Sequence, residues 1–214
     1  MSDKNLKRVA AGKKSRRKGS SNELALAKLF KQWWGHGEWA RTPLSGGWAT
    51  KEAREGFRTC GDVITTAEDF PFCLEAKKQE GWTVDNLLHN DKPVLLEWWQ
   101  QVVDETPEGM IPLLLASRNF VPQLAIFNPS WLEVYGTRHN WGQVWNGELP
   151  CRPWEHFDHL VLRVAVTAPI GENLVLMSLD NFFKMDPYHF GRTRDAEREQ
   201  PAQPAEAGGQ AKGS

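Results

Sequence analysis

Apolar side chains recur at helical spacing in the segment after residue 20. They occupy positions i, i+3, i+4 and i+7, at Leu26, Leu29, Phe30 and Trp33. Because this spacing gives a helix one apolar face, we predict a helix that begins at Ser20 and ends at Gly35, since glycine commonly follows the last helical residue. Residues 92–105 show a second apolar stripe and predict a second helix, with Pro93 suited to its first turn.

Short apolar runs between turn residues predict the strands. A strand and a long loop are expected in 38–61, two strand-like runs in 62–78, and further strands in 110–117, 121–127, 159–168 and 173–179. With a short helix over 180–186, this order predicts a mixed α/β domain within residues 20–190. Residues 1–19 and 191–214 lack large apolar clusters and are expected to be disordered.

Charge is distributed unevenly along the chain. The formal net charge is −1, yet the first 20 residues hold eight basic side chains and one acid. Such a basic arm, which includes Arg16, Arg17 and Lys18, favours a polyanionic partner such as nucleic acid. The alternative is a solubilising tail, and the acidic remainder of the chain argues mildly against DNA binding unless some carboxylates hold cations.

Cysteine content and hydropathy bound the setting of the protein. The three cysteines are odd in number and lack C-x-x-C spacing, which favours a reducing compartment over a disulfide framework or a zinc ribbon. Cys151, His156 and His159 are possible zinc ligands, but a fourth is not evident. No apolar run reaches membrane length and the basic N-terminus lacks a secretory apolar region, so we expect a cytoplasmic protein.

Two carboxylates and a lysine are predicted to meet on one patch. In a strand over 72–77, Glu75 and Lys77 share a face because side chains alternate. An antiparallel hairpin that turns near Glu68 and Asp69 would bring Asp62 opposite Glu75. Carboxylate oxygens suit a hard divalent cation such as Mg²⁺, although a solvated hairpin face with a surface Glu-x-Lys pair is the alternative.

For the other candidate residues, taken one at a time, an ordinary structural explanation is favoured. Glu23 lies on the apolar face of the first predicted helix, but Ser20 and Glu23 also form an S-x-x-E capping box. The stretch RTPLSGG, which contains Arg41 and Ser45, reads as an ordinary turn. Gln101 lies beside an apolar helix stripe, where a polar residue is commonly at the surface.

Six stretches occur in an order that resembles one nuclease family. They are RRKGSSNELALAKLF, RTPLSGG, GDV, LEAKK, WWQQ and IPLLLASRN, all within residues 16–127. Together they resemble the Holliday-junction-resolvase-like branch of the PD-(D/E)XK nuclease superfamily, which includes phage endonucleases. The resemblance implies a restriction-endonuclease-like fold, with a mixed central sheet flanked by helices and the site at one edge. The usual proline before the first acid is replaced by Gly61.

The resemblance also implies roles for individual residues. Asp62, Glu75 and Glu23 would be metal ligands, Lys77 the catalytic lysine and Gln101 a helix-borne neighbour of the site. The DNA-binding residues would be Arg41, Ser45 and Arg118, together with Arg16, Arg17 and Lys18 of the basic arm. The implied cofactor is Mg²⁺, with Mn²⁺ as a substitute.

The implied activity is Mg²⁺-dependent hydrolysis of DNA, by a structure-selective enzyme similar to Holliday junction resolvases. A homodimer acting on branched DNA is expected, with neither a nucleotide cofactor nor a membrane partner. The alternatives are a duplex- or end-directed nuclease of the same fold and a non-enzymatic DNA-binding protein. A Trp-rich insertion over 128–158 could stack on unpaired bases, pack in the core or form the dimer contact; its tryptophans are Trp131, Trp141, Trp145 and Trp154.

Overall fold

The computed structural model describes residues 3–42, 56–58, 60–89, 93–132, 153–164 and 172–192, with the backbone alone over 3–18. The helices are α1 (Asp3–Trp34), α2 (Asn86–His89), α3 (Val94–Glu105) and α4 (Leu179–Lys184). The strands are β1 (Trp39–Arg41), β2 (Val63–Thr65), β3 (Phe72–Lys78), β4 (Ile111–Ser117), β5 (Leu124–Phe127), β6 (His159–Val164) and β7 (Glu172–Ser178). Short 3₁₀ helices span Pro153–His156 and Pro187–Phe190.

Helix α1 begins at Asp3, so the start predicted at Ser20 is wrong. The basic segment that was expected to be disordered is helical from Asp3 onward. Lysine, arginine and alanine dominate it, and these residues have high helix propensity. Because Ser20 lies inside α1, it is not an N-cap, and the capping-box explanation of Glu23 fails with it.

The buried face of α1 positions that helix against the sheet. Leu26, Phe30 and Trp34 are buried, whereas Leu29 is 42% exposed, contrary to the predicted stripe. The helix ends as predicted, because Gly35 adopts a φ of 87° and its N–H donates to the Lys31 carbonyl oxygen at 2.9 Å. This face continues toward the N-terminus to Glu23, which is therefore carried to the core.

The central sheet confirms the predicted mixed α/β class. Its five strands are ordered β3-β4-β5-β7-β6, with β3 and β4 parallel and the other pairs antiparallel. One face packs against α1 and α4, and the opposite face packs against α3. Because β3 is the edge strand of this sheet, no further strand of the sheet pairs with its outer side.

The predicted hairpin between the runs of residues 62–78 is wrong. Strand β2 pairs antiparallel with β1, with Arg41 opposite Val63. Although the chain turns at Glu68 and Asp69 as expected, Ala67 and Phe70 are both buried against the α1 core. Burial of these two side chains leads the connection into the core, so β2 does not fold back along β3.

Cys60 and Cys73 form a disulfide, with Cα atoms 5.4 Å apart. This contradicts the expectation of unpaired cysteines. The two residues are distant enough in sequence that no short motif marks them, and they become neighbours only when residue 61 meets β3. Among the described residues, no helix combines the length and apolar character needed to cross a membrane.

Candidate active site

Asp62 is attached to the edge of β3 by backbone hydrogen bonds. Gly61 forms a parallel bridge with Leu74. The Asp62 N–H donates to the Leu74 carbonyl oxygen at 2.7 Å, and the Ala76 N–H donates to Asp62 Oδ2 at 2.9 Å. The structure thus brings Asp62 next to Glu75, as predicted, through a parallel bridge rather than a hairpin.

Gly61 explains why this chain departs from the usual proline. Its φ is +69°, a value that proline cannot adopt because its ring holds φ near about −65°. A Cβ atom at this position would collide with the Leu74 carbonyl oxygen. Only glycine therefore allows this backbone to approach β3 closely enough for the Asp62 hydrogen bonds.

Glu75 and Lys77 occupy the same face of β3, as their alternation predicted. The Lys77 ammonium Nζ donates to Glu75 Oε1 at 2.7 Å. Glu75 is only 8% exposed, so this is not the solvated hairpin face that was the alternative interpretation. On the opposite face of the same strand, Phe72 and Leu74 are buried in the α1 core.

Glu23 reaches the same region from α1. It is also 8% exposed, and Arg41 Nη1 on β1 lies 3.5 Å from its Oε2. Asp62 is close enough for its charge to influence Glu23. The structure therefore gathers Glu23, Arg41 and Asp62 beside the Glu75–Lys77 pair, from three separate elements.

Burial raises the pKa of each of these three carboxyl groups. For Glu23, the Asp62 charge adds to the effect of burial, and the Arg41 hydrogen bond opposes it. Burial likewise raises the pKa of Asp62, against the Ala76 hydrogen bond and the Lys77 charge. Burial is again the first cause of the raised pKa of Glu75, which Lys77 opposes. Each of the three acids is thus partly removed from water, and the charge of Asp62 repels those of Glu23 and Glu75.

Glu105, the last residue of α3, is a neighbour that sequence reasoning missed. Its charge contributes to raising the pKa of both Asp62 and Glu75. Gln101 Nε2 donates to Glu105 Oε1 at 2.9 Å, so Gln101 is linked to the site through Glu105. The four-residue spacing of Gln101 and Glu105 on one helix face was the available signal.

The donor set fits a hard divalent cation in its chemistry. Asp62, Glu75 and Glu23 supply only carboxylate oxygens, the ligands that Mg²⁺ prefers. After burial, the charge of Asp62 is a further cause of the raised pKa of both Glu23 and Glu75, and a bound cation would offset that repulsion. In the described part of the chain, no three acidic, histidine or cysteine side chains converge as a metal site in this arrangement. Glu75 instead pairs with Lys77, and Asp62 accepts the Ala76 N–H.

The other predicted residues are more scattered. Arg118 follows β4, and its guanidinium carbon lies 5.8 Å from the centre of the Trp82 ring. Ser45 lies outside the described residues, and Arg16, Arg17 and Lys18 lie in the part of α1 for which only the backbone is described.

The Trp-rich segment is described only at its ends. Trp154 is buried and packs against Phe127, so base stacking by this tryptophan is excluded and core packing is confirmed. Trp131 packs against the same core. Trp141, Trp145 and the possible zinc ligand Cys151 fall outside the described residues.

Comparison with known proteins identifies a family for this chain. No curated protein and no solved structure matches the chain significantly. Residues 14–140, more than half of the 214-residue chain, match the family described as "Phage putative PDDEXK endonuclease". The match spans α1, β1–β5 and α3, the elements that carry Glu23, Asp62, Glu75 and Lys77. The chain therefore belongs to the phage-type PD-(D/E)XK endonuclease family.

Proposed function

We propose that the protein is a Mg²⁺-dependent DNA endonuclease that hydrolyses phosphodiester bonds, with a preference for branched DNA. The observation that carries the proposal is that Asp62 is hydrogen-bonded to the edge strand β3, next to Glu75 and Lys77 of that strand. Glu75 is buried and Asp62 is half-buried, both beside a lysine; this arrangement indicates function, since a charged group is rarely buried unless it is paired or used. Family membership supports a nuclease.

Asp62 and Glu75 would hold the metal ion, with Glu23 as a further oxygen ligand. When bound, a Mg²⁺ or Mn²⁺ ion lowers the pKa of a coordinated water and offsets negative charge on phosphoryl oxygens. The Ala76 N–H holds Asp62 in place through Oδ2, and α1 carries Glu23 to the same space. Arg41 restrains the Glu23 carboxylate from β1.

Lys77 is the residue that we propose to act on the reacting groups. Its ammonium is held 2.7 Å from Glu75 Oε1, which fixes its three donors near the site. In the reaction, a water oxygen forms a bond to phosphorus as the bond to the 3′ oxygen breaks. Lys77 would orient that water and donate to the phosphoryl oxygen on which charge develops.

The substrate class is inferred from charge. The first half of α1 carries the basic residues Arg16, Arg17 and Lys18, which suit phosphate contacts whose strength falls with added salt. Arg41, Ser45 and Arg118 are proposed as further DNA contacts. A homodimer would place two such sites on the two symmetric strands of a four-way junction. A duplex- or end-directed nuclease of the same fold is the second candidate.

The proposal is tested by cleavage of a labelled panel of four-way junction, flap, linear duplex and single-stranded DNA, with Mg²⁺ or with a chelator. We expect paired nicks in the junction with Mg²⁺ and none with the chelator. Glu75→Gln should abolish cleavage, and Glu97→Gln, an exposed glutamate of α3, should not. Tight binding without cleavage of any substrate would instead establish a non-enzymatic DNA-binding protein.

A further inference from the structure

Phe120 combines two unfavourable features at the turn between β4 and β5. Its side chain is fully exposed, and its φ is +62°, the one positive value among the non-glycine residues that the structure describes. Left-handed backbone is strained for a bulky side chain, and such strain tends to persist where a residue has a function. Neither packing nor turn chemistry requires phenylalanine here, since glycine or asparagine would suit the turn better.

The turn that presents Phe120 is held from both sides. The Asn119 N–H donates to Glu80 Oε1 at 3.1 Å, and the Gln79 N–H donates to the Ser117 carbonyl oxygen at 3.1 Å. The Arg118 guanidinium packs over the Trp82 ring. These contacts anchor the backbone on the N-terminal side of Phe120, which lowers the entropy that ordering of the turn on a ligand would have to overcome.

The register of the sheet places this turn at the same end of the sheet as Lys77. Strands β3 and β4 are parallel, and Lys77 lies opposite Ala116. Asn119 follows Ala116 by three residues, which corresponds to roughly 10 Å along an extended chain. The turn thus projects beyond the ends of β3 and β4, at the end where Lys77 lies. The reach of roughly 10 Å equals about three nucleotide steps along one DNA strand.

We propose that Phe120 stacks on an unpaired or unstacked base of the DNA, a few nucleotides from the bond that is cut, and gives the enzyme its preference for branched DNA. The inference rests on the proposed DNA nuclease function. Every base has a face on which an aromatic ring can stack, but bases within a duplex are covered by their neighbours. A contact of this kind therefore rewards DNA in which pairing is interrupted.

The surroundings of Phe120 favour DNA over a protein partner. A protein-docking surface is a contiguous apolar patch, whereas the neighbours of Phe120 in the turn are Arg118, Asn119 and the partly exposed Val121. Phe120 offers one aromatic ring for stacking on a base, and Arg118, two residues before it, carries a positive charge that suits a phosphate.

Binding measurements test the inference without requiring cleavage. In a Lys77→Ala background, Phe120→Leu should weaken binding to a four-way junction roughly tenfold, the loss of one stacked base, and change binding to linear duplex less than about twofold. Phe120→Tyr keeps the ring and should bind as the parent does. Val121→Ala, at the adjacent exposed residue, is the matched control and should leave both affinities unchanged.

A fluorescent base analogue gives a second reading. With 2-aminopurine near the junction centre, the parent should quench or enhance its emission on binding, and Phe120→Leu should abolish the change. Equal loss of junction and duplex binding in Phe120→Leu, or no loss at all, would overturn the inference. So would loss of self-association with DNA binding intact, which would assign the ring to a protein contact. Failure of the parent to bind any DNA would instead overturn the proposed function.

Discussion

The two faces of strand β3 carry opposite kinds of side chain. On one face, Phe72 and Leu74 pack with α1 and α4 in a core rich in edge-to-face aromatic pairs. On the other face, Glu75 and Lys77 form a partly buried ion pair next to Asp62. The strand is the same backbone throughout, so only the alternation of side chains separates a face that stabilises the fold from a face arranged for chemistry.

The difference between the faces shows how the fold tolerates buried charge. Each of the three carboxyls has a raised pKa, first of all because of burial, so their ionised forms are destabilised by the folded protein. Such a cluster persists where function requires it and packing elsewhere offsets it. The aromatic face supplies that packing, which predicts opposite effects for substitutions on the two sides of β3.

The largest expected effect is on the aromatic face. Leu74→Ala removes a fully buried side chain and should lower the free energy of unfolding by about 2–5 kcal/mol, through lost burial and the cavity left behind. Urea unfolding followed by tryptophan fluorescence measures this loss. Cleavage per folded molecule should stay near that of the parent, and a selective loss of cleavage at unchanged stability would erase the distinction between the faces.

Loss of the disulfide is expected to have the next largest effect on stability. Cys60 and Cys73 enclose a loop with a sequence separation of 13, and constraint of the unfolded chain by such a loop contributes about 3 kcal/mol. A Cys60→Ser, Cys73→Ser double variant should therefore melt at a lower temperature than the oxidised parent. Reduction of the parent with a dithiol should reproduce the shift, and the double variant itself should not respond to the dithiol.

A substitution at Gly61 tests whether the close approach of the Asp62 backbone to β3 is needed for cleavage. Gly61→Ala forces a side chain into left-handed backbone and against the Leu74 carbonyl oxygen, at a cost of about 1–3 kcal/mol. Because the adjustment must move Asp62, we expect cleavage to fall by more than stability alone explains. Gly81→Ala has a similar φ but no atom near the added Cβ, so it controls for backbone strain and should leave cleavage intact.

The smallest expected effect is a gain in stability, produced by Asp62→Asn, and its size depends on pH. Burial raises the pKa of Asp62 above its ordinary 3.8; a group shifted in this direction contributes its full stability below the unfolded pKa and loses it as pH rises through the folded pKa. Asp62→Asn removes this penalty and can still accept the Ala76 N–H. Without metal, we expect the variant to melt above the parent at about pH 8 and to lose that advantage toward about pH 3.5.

The matched control for this pH series is Asp85→Asn, at an exposed aspartate near α2. Its melting temperature should differ little from that of the parent across the range. If Asp62→Asn were less stable than the parent at the higher pH, the charged face would be stabilising, and its contrast with the aromatic face would disappear.

Local pattern predicted much of the fold because local rules decided it. Glu75 and Lys77 share a face since strands alternate, and α3 and β4 lie close to where their apolar runs indicated. The predicted hairpin is wrong because the pairing of β2 depends on burial of Ala67 and Phe70 against α1. That contact joins residues distant in sequence, so local pattern does not reveal it. Helix α1 begins before its predicted start because the helix propensity of the lysine, arginine and alanine residues in the basic segment favours helix despite their like charges.

The site was predictable to the extent that its residues match a family pattern. The structure brings together Glu23, Asp62, Glu75, Lys77 and Arg41 from separate elements, as the resemblance implied, while their roles stay predictions. Glu105 and Phe120 could not be found in this way. The position of Glu105 depends on how α3 ends beside β3, and the significance of Phe120 depends on a backbone angle that the sequence does not reveal.

The central claim, that the charged face of β3 cuts DNA, is tested most directly by comparing Lys77→Ala with Lys78→Ala. The two lysines are adjacent on one strand, but Lys77 pairs with Glu75 and Lys78 is exposed. With Mg²⁺ and junction DNA, Lys77→Ala should lower the cleavage rate by about 100-fold or more, with DNA binding retained, and Lys78→Ala should cleave nearly as the parent does. Equal rates for the two variants would contradict the assignment of this face as the active site.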